Sequence, residues 1–225
     1  MSMLITKHFA FVHVPKTGGT FLYDLCREHL PGDWLIENEL TQHSPYRALR
    51  REVARGALPA AVADLPVIAF VRNPWDWYVS WYHHEMVQPP DRSRWWLDRY
   101  DFASQDFKQI VTKACTESSG EQMQMRLMRR ERMDFYSAGF ALLVKEGVPD
   151  GAIEVGRFEN LRDDFLAFLG RHGVPVDGAF EEAVRSSVPV NVSARSDYRG
   201  YYDDELRELV ADRASDLIAE YGYTF

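Results

Sequence analysis

A short loop near the N-terminus carries the first residues whose types and spacing could do chemistry. The segment PKTGGT covers residues 15–20. Its adjacent glycines allow positive φ and a close approach of the backbone to a ligand. Thr17 and Thr20 add hydroxyl donors, and Lys16 adds a positive charge. The combination predicts an anion-binding loop, whereas a tight turn without a ligand is the alternative interpretation of the glycines alone.

The second candidate site is the segment AFVRNPWDWYVS at residues 69–80. Arg72 ends an apolar run, and Ser80 follows about two helical turns later. The arginine fork can bind two phosphate oxygens at once, so Arg72 and Ser80 could hold one anion together. Taken alone, Arg72 fits a surface ion pair equally well.

Both candidate sites follow a predicted strand and precede a predicted helix. The apolar run Phe9–Val14 predicts a strand, and apolar residues at helical spacing predict a helix over Thr20–Leu30. Val67–Val71 is apolar throughout, as a parallel strand covered on both faces should be, and an aromatic helix over Trp75–Met86 follows. Open α/β sheets bind ligands at the C-terminal ends of their strands, and both sites lie at such ends.

The rest of the chain alternates between helices and short strands, which predicts an α/β fold with a central, mainly parallel sheet flanked by helices in three layers. We expect one domain over residues 1–225. Further elements are expected at 34–36 (extended), 44–55 (helix with Ser44 as N-cap), 107–113 and 122–130 (helices), 153–156 (strand) and 161–171 (helix). Residues 140–145 fit either type. One last helix is expected from Asp203, because its apolar residues from Leu206 to Tyr221 share a face.

Composition excludes several classes of protein. The chain has 26 basic and 34 acidic residues and a net charge of −8, which argues against a nucleic-acid partner. Hydrophobic residues make up 46% of the chain, so it is not intrinsically disordered. Cys26 and Cys115 are expected to be buried thiols in a reducing compartment. We recognise no signal peptide and no apolar run long enough to cross a membrane, and we expect a cytoplasmic protein.

Together, the two phosphate motifs resemble those of the sulfotransferases that use 3′-phosphoadenosine 5′-phosphosulfate (PAPS). PKTGGT is similar to the P-K-[ST]-G-[GS]-T loop of that family, and the segment from Arg72 to Ser80 is similar to its R-[ND]-P…S strand and helix. The segments GRFENL at 156–161, NVS at 191–193 and the C-terminal YGYTF look like the carbohydrate-type, heparan-sulfate-like branch. The resemblance spans nearly the whole chain and implies a P-loop-like fold.

The resemblance also implies the residues that bind the donor. Those expected to hold the 5′-phosphosulfate are Lys16 and the backbone N–H groups of Thr17, Gly18, Gly19, Thr20 and Phe21. The 3′-phosphate is expected to bind Arg72 and Ser80, and Ser193 is expected to reach it too. The late R-K-G segment of related enzymes has only Arg199-Gly200 as a counterpart, so no role is carried over to Arg199.

The implied reaction is an in-line transfer of a sulfuryl group from PAPS to a hydroxyl, which leaves 3′,5′-adenosine bisphosphate (PAP) and requires no metal. Lys16 would stabilise or protonate the bridging oxygen. An alcohol needs a general base, and the resemblance assigns this role to His43. The alternatives are a structural role for His43 and a base elsewhere, including Glu37 or Glu39. His13 is expected to be structural.

The acceptor is expected to be a hydroxyl of a carbohydrate or a small molecule. Trp95 and Trp96 lie in a polar stretch and could line its pocket, whereas Trp75, Trp77 and Trp81 fit core packing equally well. Two arginine-rich clusters, at 47–55 and 126–132, could contact an acidic acceptor or form solvated faces. The alternative functions are a P-loop kinase of small molecules and a nucleotide-binding module without activity. The kinase is disfavoured because Lys16 precedes the glycines, whereas the Walker A lysine follows them.

Overall fold

A computed structural model describes residues 1–87, 100–188 and 196–225. The chain divides into two compact units. The first combines Met1–Arg72 with the described part of Phe140–Asn191, and the second combines Asn73–Gly139 with the described part of Val192–Phe225. Trp95, Trp96 and Ser193 lie outside the described residues, so their roles stay predictions.

The first unit is built on a four-stranded sheet. In spatial order its strands are β1 (Leu4–Ile5), β2 (Ala10–Val12), β3 (Val67–Val71) and β4 (Glu154–Arg157). The pairs β2–β3 and β3–β4 are parallel, whereas β1 is antiparallel to β2. Every residue of β3 is buried, which explains its uninterrupted apolar sequence. The predicted α/β class, with a mainly parallel central sheet flanked by helices, is confirmed.

Most predicted elements are present within one to three residues of their expected bounds. Of the ambiguous segment 140–145, residues 140–144 belong to a helix. The strand β1 and the helix at 178–186 have no counterpart in the sequence predictions. The described helices are α1 (Gly19–His29), α2 (Tyr46–Ala54), α3 (Pro74–Met86), α4 (Phe107–Thr116), α5 (Met123–Glu131), α6 (Phe135–Val144), α7 (Leu161–Arg171), α8 (Gly178–Ser186), α9 (Asp204–Arg213) and α10 (Ser215–Tyr221).

Aromatic side chains form the core of the first unit. Phe9, just before β2, meets Phe165 and Phe168 of α7 edge to face, with ring centroids 5.8 and 6.0 Å apart. Leu22 of α1 and Phe180 of α8 are buried in the same cluster. This packing holds α1 and α7 together on the sheet, and α1 is the helix that the glycine-rich loop enters.

A second aromatic cluster forms the core of the second unit. The rings of Trp77 and Tyr136 stack with centroids 4.5 Å apart, and Trp81 stacks on Phe135. Trp75, Trp77 and Trp81 are all at least 96% buried. Core packing therefore accounts for the tryptophans of α3. The thiols of Cys26 and Cys115 are free and buried, as expected.

Two local predictions are wrong, and a third is confirmed only in part. Ser44 does not cap α2, because extended Pro45 intervenes and α2 begins only at Tyr46; the Ser44 hydroxyl pairs with that of Thr41 instead. The extended segment expected at 34–36 is confirmed in part: Trp34 ends a 3₁₀ turn over 32–34, whereas Leu35 is extended and forms an isolated antiparallel bridge with Thr6. The last helix, expected to be continuous, is divided into two helices at Ala214. Next to this break, the carbonyl oxygen of Arg213 accepts a hydrogen bond from the N–H of Asp134.

Asp134 is a fully buried carboxylate of the second unit. It precedes α6 and accepts hydrogen bonds from the backbone N–H of Ser137, at 2.7 Å, and from its hydroxyl. Burial raises the pKa of Asp134 to about 6, although these hydrogen bonds oppose the shift. Because the folded pKa lies above the unfolded value, this group makes the protein less stable as pH rises from about 4 to about 6.

We predict that Asp134→Asn removes this pH dependence, since the amide does not titrate and still accepts the bond from Ser137. When the pH is lowered from 8 to 5, the free energy of unfolding of the wild-type protein should rise by about 1 kcal/mol relative to that of the variant. Urea unfolding of both proteins at the two pH values measures the difference. Parallel pH dependences in the two proteins would contradict the assignment.

Candidate functional site

The glycine-rich loop joins the end of β2 to the first turn of α1. Lys16 and Gly18 both have positive φ, at 64° and 81°. Positive φ is unusual for a residue with a β-carbon, so Lys16 holds its backbone in a strained conformation. The buried Thr17 hydroxyl donates to the Val14 carbonyl at 2.8 Å. This hydroxyl therefore braces the loop in the structure, and anion binding by Thr17 stays a prediction, with its backbone N–H as the donor.

Both glycines are also required by packing. A β-carbon on Gly18 would lie 2.4 Å from Leu161 Cδ1, at the start of α7. A β-carbon on Gly19 would lie 2.0 Å from the His13 ring. The loop backbone therefore packs closely against Leu161 and His13, and only glycine permits this approach at the two positions.

The first turn of α1 supplies backbone donors for an anion. Gly18 is the N-cap residue of α1, no side chain caps this helix end, and the first turn contains no acidic residue. A helix leaves its first N–H groups without intrahelical partners, and its dipole places partial positive charge there. Gly19, Thr20 and Phe21 lie in this turn, and Lys16 precedes it. A donor set of N–H groups and a cation suits the phosphate and sulfate groups of PAPS.

Arg72 follows the end of β3, beside the loop. Its side chain is buried, with 5% exposure, and its Nη1 donates to the carbonyl of Lys16 at 2.8 Å. The guanidinium also lies over the ring of Phe158, with Cζ 4.0 Å from the ring centroid. The two predicted anion-binding motifs are thus joined by a direct hydrogen bond, although Lys16 and Arg72 are 56 residues apart.

His43 is placed at the same edge of the sheet. Its Nδ1 lies 3.0 Å from the carbonyl oxygen of His13, and the two rings are 4.6 Å apart. A carbonyl oxygen can only accept, so Nδ1 carries the proton and Nε2 keeps its lone pair in the neutral ring. The side-chain amide of Gln42 lies 3.1 Å from Nε2. This tautomer is the one that a base acting through Nε2 requires.

His13 does not share this chemistry. It is buried against Gly19, and burial lowers its pKa to about 3, with further contributions from the charges of His43 and Lys16. The ring is therefore neutral at physiological pH. Its backbone carbonyl orients His43, and its ring supports the first residue of α1, which agrees with the expected structural role.

Other residues were considered for the site or its surroundings from the sequence. Ser80 is buried on α3, in the second unit, so its joint action with Arg72 stays a prediction. Asn73 caps α3 by accepting from the N–H of Trp75 at 3.0 Å. Glu37 and Glu39, the alternative bases, are exposed. The sequence analysis missed the contact of Phe158 with Arg72, although GRFENL was recognised as a motif.

No protein-family model matches this chain. No curated protein matches it either. Among solved structures, the chain is similar to the crystal structure of mouse sulfotransferase SULT7A1 complexed with PAP, with a TM-score of 0.51 and 15% sequence identity. The match covers 96% of this chain and 88% of that chain. The likeness shows that the chain has the fold of a sulfotransferase.

Two further findings concern the described residues alone. They include no helix that is both long and apolar enough to cross a membrane. They also include no group of three or more His, Cys, Asp or Glu side chains that could hold a metal ion.

We predict that Gly19→Ala lowers the free energy of unfolding by about 1–3 kcal/mol, because the new methyl group must displace the buried His13 ring. Gly170→Ala is the matched control, since a β-carbon there meets no atom within 4 Å and alanine favours a helix. Urea unfolding of both variants measures the effect. Equal stabilities would show that the loop does not depend on this close approach.

Proposed function

We propose that this chain is a sulfotransferase that moves a sulfuryl group from PAPS to a hydroxyl group. The observation that carries the proposal is the bond from Arg72 to the carbonyl of Lys16, which joins two cationic motifs beside the N-terminus of α1. The fold of a sulfotransferase over 96% of the chain supports it. We further propose that residues 1–225 act as one domain.

The proposed donor site divides the charges of PAPS between the two motifs. Lys16 and the backbone N–H groups from Thr17 to Phe21 bind the 5′-phosphosulfate, where the α1 dipole favours negative charge. Arg72, together with Ser80 and Ser193, binds the 3′-phosphate. Burial strengthens the pairing of Arg72 with an anion, because little water competes for its guanidinium.

When bound, PAPS supplies an activated sulfuryl group attached to a phosphate leaving group. Lys16 stabilises the negative charge that develops on the bridging oxygen, or donates a proton to it. The α1 backbone donors act in the same direction without needing to reorganise. These residues neutralise the leaving group themselves, so the proposed mechanism uses no metal.

His43 is the proposed general base. Its Nδ1–H bond to the His13 carbonyl leaves Nε2 to accept the proton of the acceptor hydroxyl. The amide of Gln42 lies against Nε2 and would have to give way to the acceptor. We propose a carbohydrate or small-molecule acceptor, in keeping with the carbohydrate-type motifs of the sequence. The buried free thiols support a reducing compartment, for which we propose the cytoplasm.

Ligand-induced stabilisation separates this function from the kinase alternative. We predict that PAP in the presence of EDTA raises the melting temperature, because a ligand of the folded state at 100 times its Kd adds about 2.7 kcal/mol of stability. ATP with Mg²⁺ should leave the melting temperature unchanged. A shift with ATP and Mg²⁺ but none with PAP would favour the kinase.

For Lys16→Ala we predict loss of sulfuryl transfer with the fold retained, because alanine has a β-carbon like lysine and leaves the backbone strain unaltered. Mass-detected transfer from PAPS to a panel of hydroxyl acceptors measures turnover. Lys7→Ala is the matched control, since Lys7 is an exposed lysine paired with Asp33. Near-normal turnover of Lys16→Ala would remove Lys16 from the mechanism.

His43→Ala should lower turnover by roughly 10²-fold or more, as expected for loss of a general base, and leave the Kd for PAP unchanged. His172→Ala serves as the control, because His172 is a surface histidine near Glu154. Should His43→Ala turn over normally, the base would be sought at Glu37 or Glu39.

A further inference from the structure

The register of the sheet places Phe158 beside Arg72. Val71 at the end of β3 pairs with Arg157 at the end of β4 in a parallel ladder. Arg72 follows β3 and Phe158 follows β4, so these two residues leave the sheet at the same level. The N–H of Arg157 donates to Asp164 at 2.7 Å, and this bond from β4 to α7 fixes the turn that carries Phe158.

Phe158 contacts both anion-binding motifs. One contact is with the Arg72 guanidinium, whose Cζ lies 4.0 Å from the ring centroid. The other is with the glycine-rich loop, where a β-carbon on Gly18 would lie 3.3 Å from the Phe158 ring. Phe158 is therefore packed against the loop and the arginine at once, and Arg72 in turn donates to the Lys16 carbonyl.

We propose that Phe158 is a positioning residue of the donor site: its ring holds the Arg72 guanidinium at the angle from which Arg72 both fastens the Lys16 carbonyl and meets an anion. The proposal rests on the function proposed above, because the donor is its readout. A buried guanidinium loses hydration, and an aromatic face attracts it through the quadrupole of the ring. An aliphatic side chain of similar size would fill the space but would not orient the cation.

The experiment compares PAP binding by wild-type protein, Phe158→Leu and Phe158→Tyr, using calorimetry. Phe158→Leu should raise the Kd for PAP about tenfold, as loss of a desolvated cation–π contact implies. Phe158→Tyr keeps the aromatic face, so its Kd for PAP should stay within about threefold of the wild-type value. Unfolding in urea without ligand shows whether each variant is folded.

A second pair of variants tests whether Phe158 acts through Arg72. In an Arg72→Gln background, Phe158→Leu should cause no further loss of PAP affinity, because the cation that the ring orients is already gone. Additive losses would overturn the proposal and indicate direct contact with the ligand or general packing. Equal affinities of wild-type protein and Phe158→Leu would overturn it as well.

A fluorinated side chain keeps the test decisive if Phe158→Leu does not fold. Trifluorophenylalanine at position 158 keeps the shape of the ring and weakens its quadrupole, so the Kd for PAP should rise. An unchanged Kd would overturn the proposal. Failure of wild-type protein to bind PAP would overturn the proposed function, and this inference with it, whereas the outcomes above concern Phe158 alone.

Discussion

The hydrogen bond from Arg72 to the carbonyl of Lys16 is the interaction on which the site depends. It links the ends of two neighbouring parallel strands through a side chain and a main-chain oxygen that are 56 residues apart. The backbone of Lys16 is strained, and the bond from Arg72 holds the carbonyl of that residue in place. The position of the lysine side chain therefore depends on an arginine that belongs to a different motif.

The surroundings of this bond support the proposal that the site binds anions. Lys16 and Arg72 are cations, and the α1 N-terminus adds partial positive charge. His13 adds none, because burial keeps its ring neutral. The neutral His13 instead fixes the tautomer of His43 through a main-chain carbonyl. His13 thus positions His43, and His43 keeps the lone pair that the proposed proton transfer needs.

The sequence predicted the parts of the fold that depend on local patterns. Val67–Val71 and α7 were predicted with their observed bounds, because an uninterrupted apolar run and a 3.6-residue period are local signals. β1 was missed because two residues cannot show a period. The break at Ala214 was missed because it depends on a tertiary bond from Asp134.

In the candidate site, too, local sequence patterns predicted some features, whereas tertiary contacts determine others. Lys16, His43 and Arg72 were chosen by residue type and motif. The structure bonds Arg72 to the carbonyl of Lys16 and places His43 against His13. The tie of Arg72 to a loop carbonyl, the inward bond of the Thr17 hydroxyl and the ring of Phe158 beneath the guanidinium depend on strand register and side-chain packing. These features have no signature along the chain, so only the folded arrangement reveals them.

The left-handed backbone at Lys16 has a consequence for how this position can vary. Glycine would suit the main chain there but would discard the charge, whereas arginine would keep the charge and the same steric conflict. Neither replacement improves on lysine in both respects. Evolution at this position therefore faces a choice between relieving the main chain and keeping the cation.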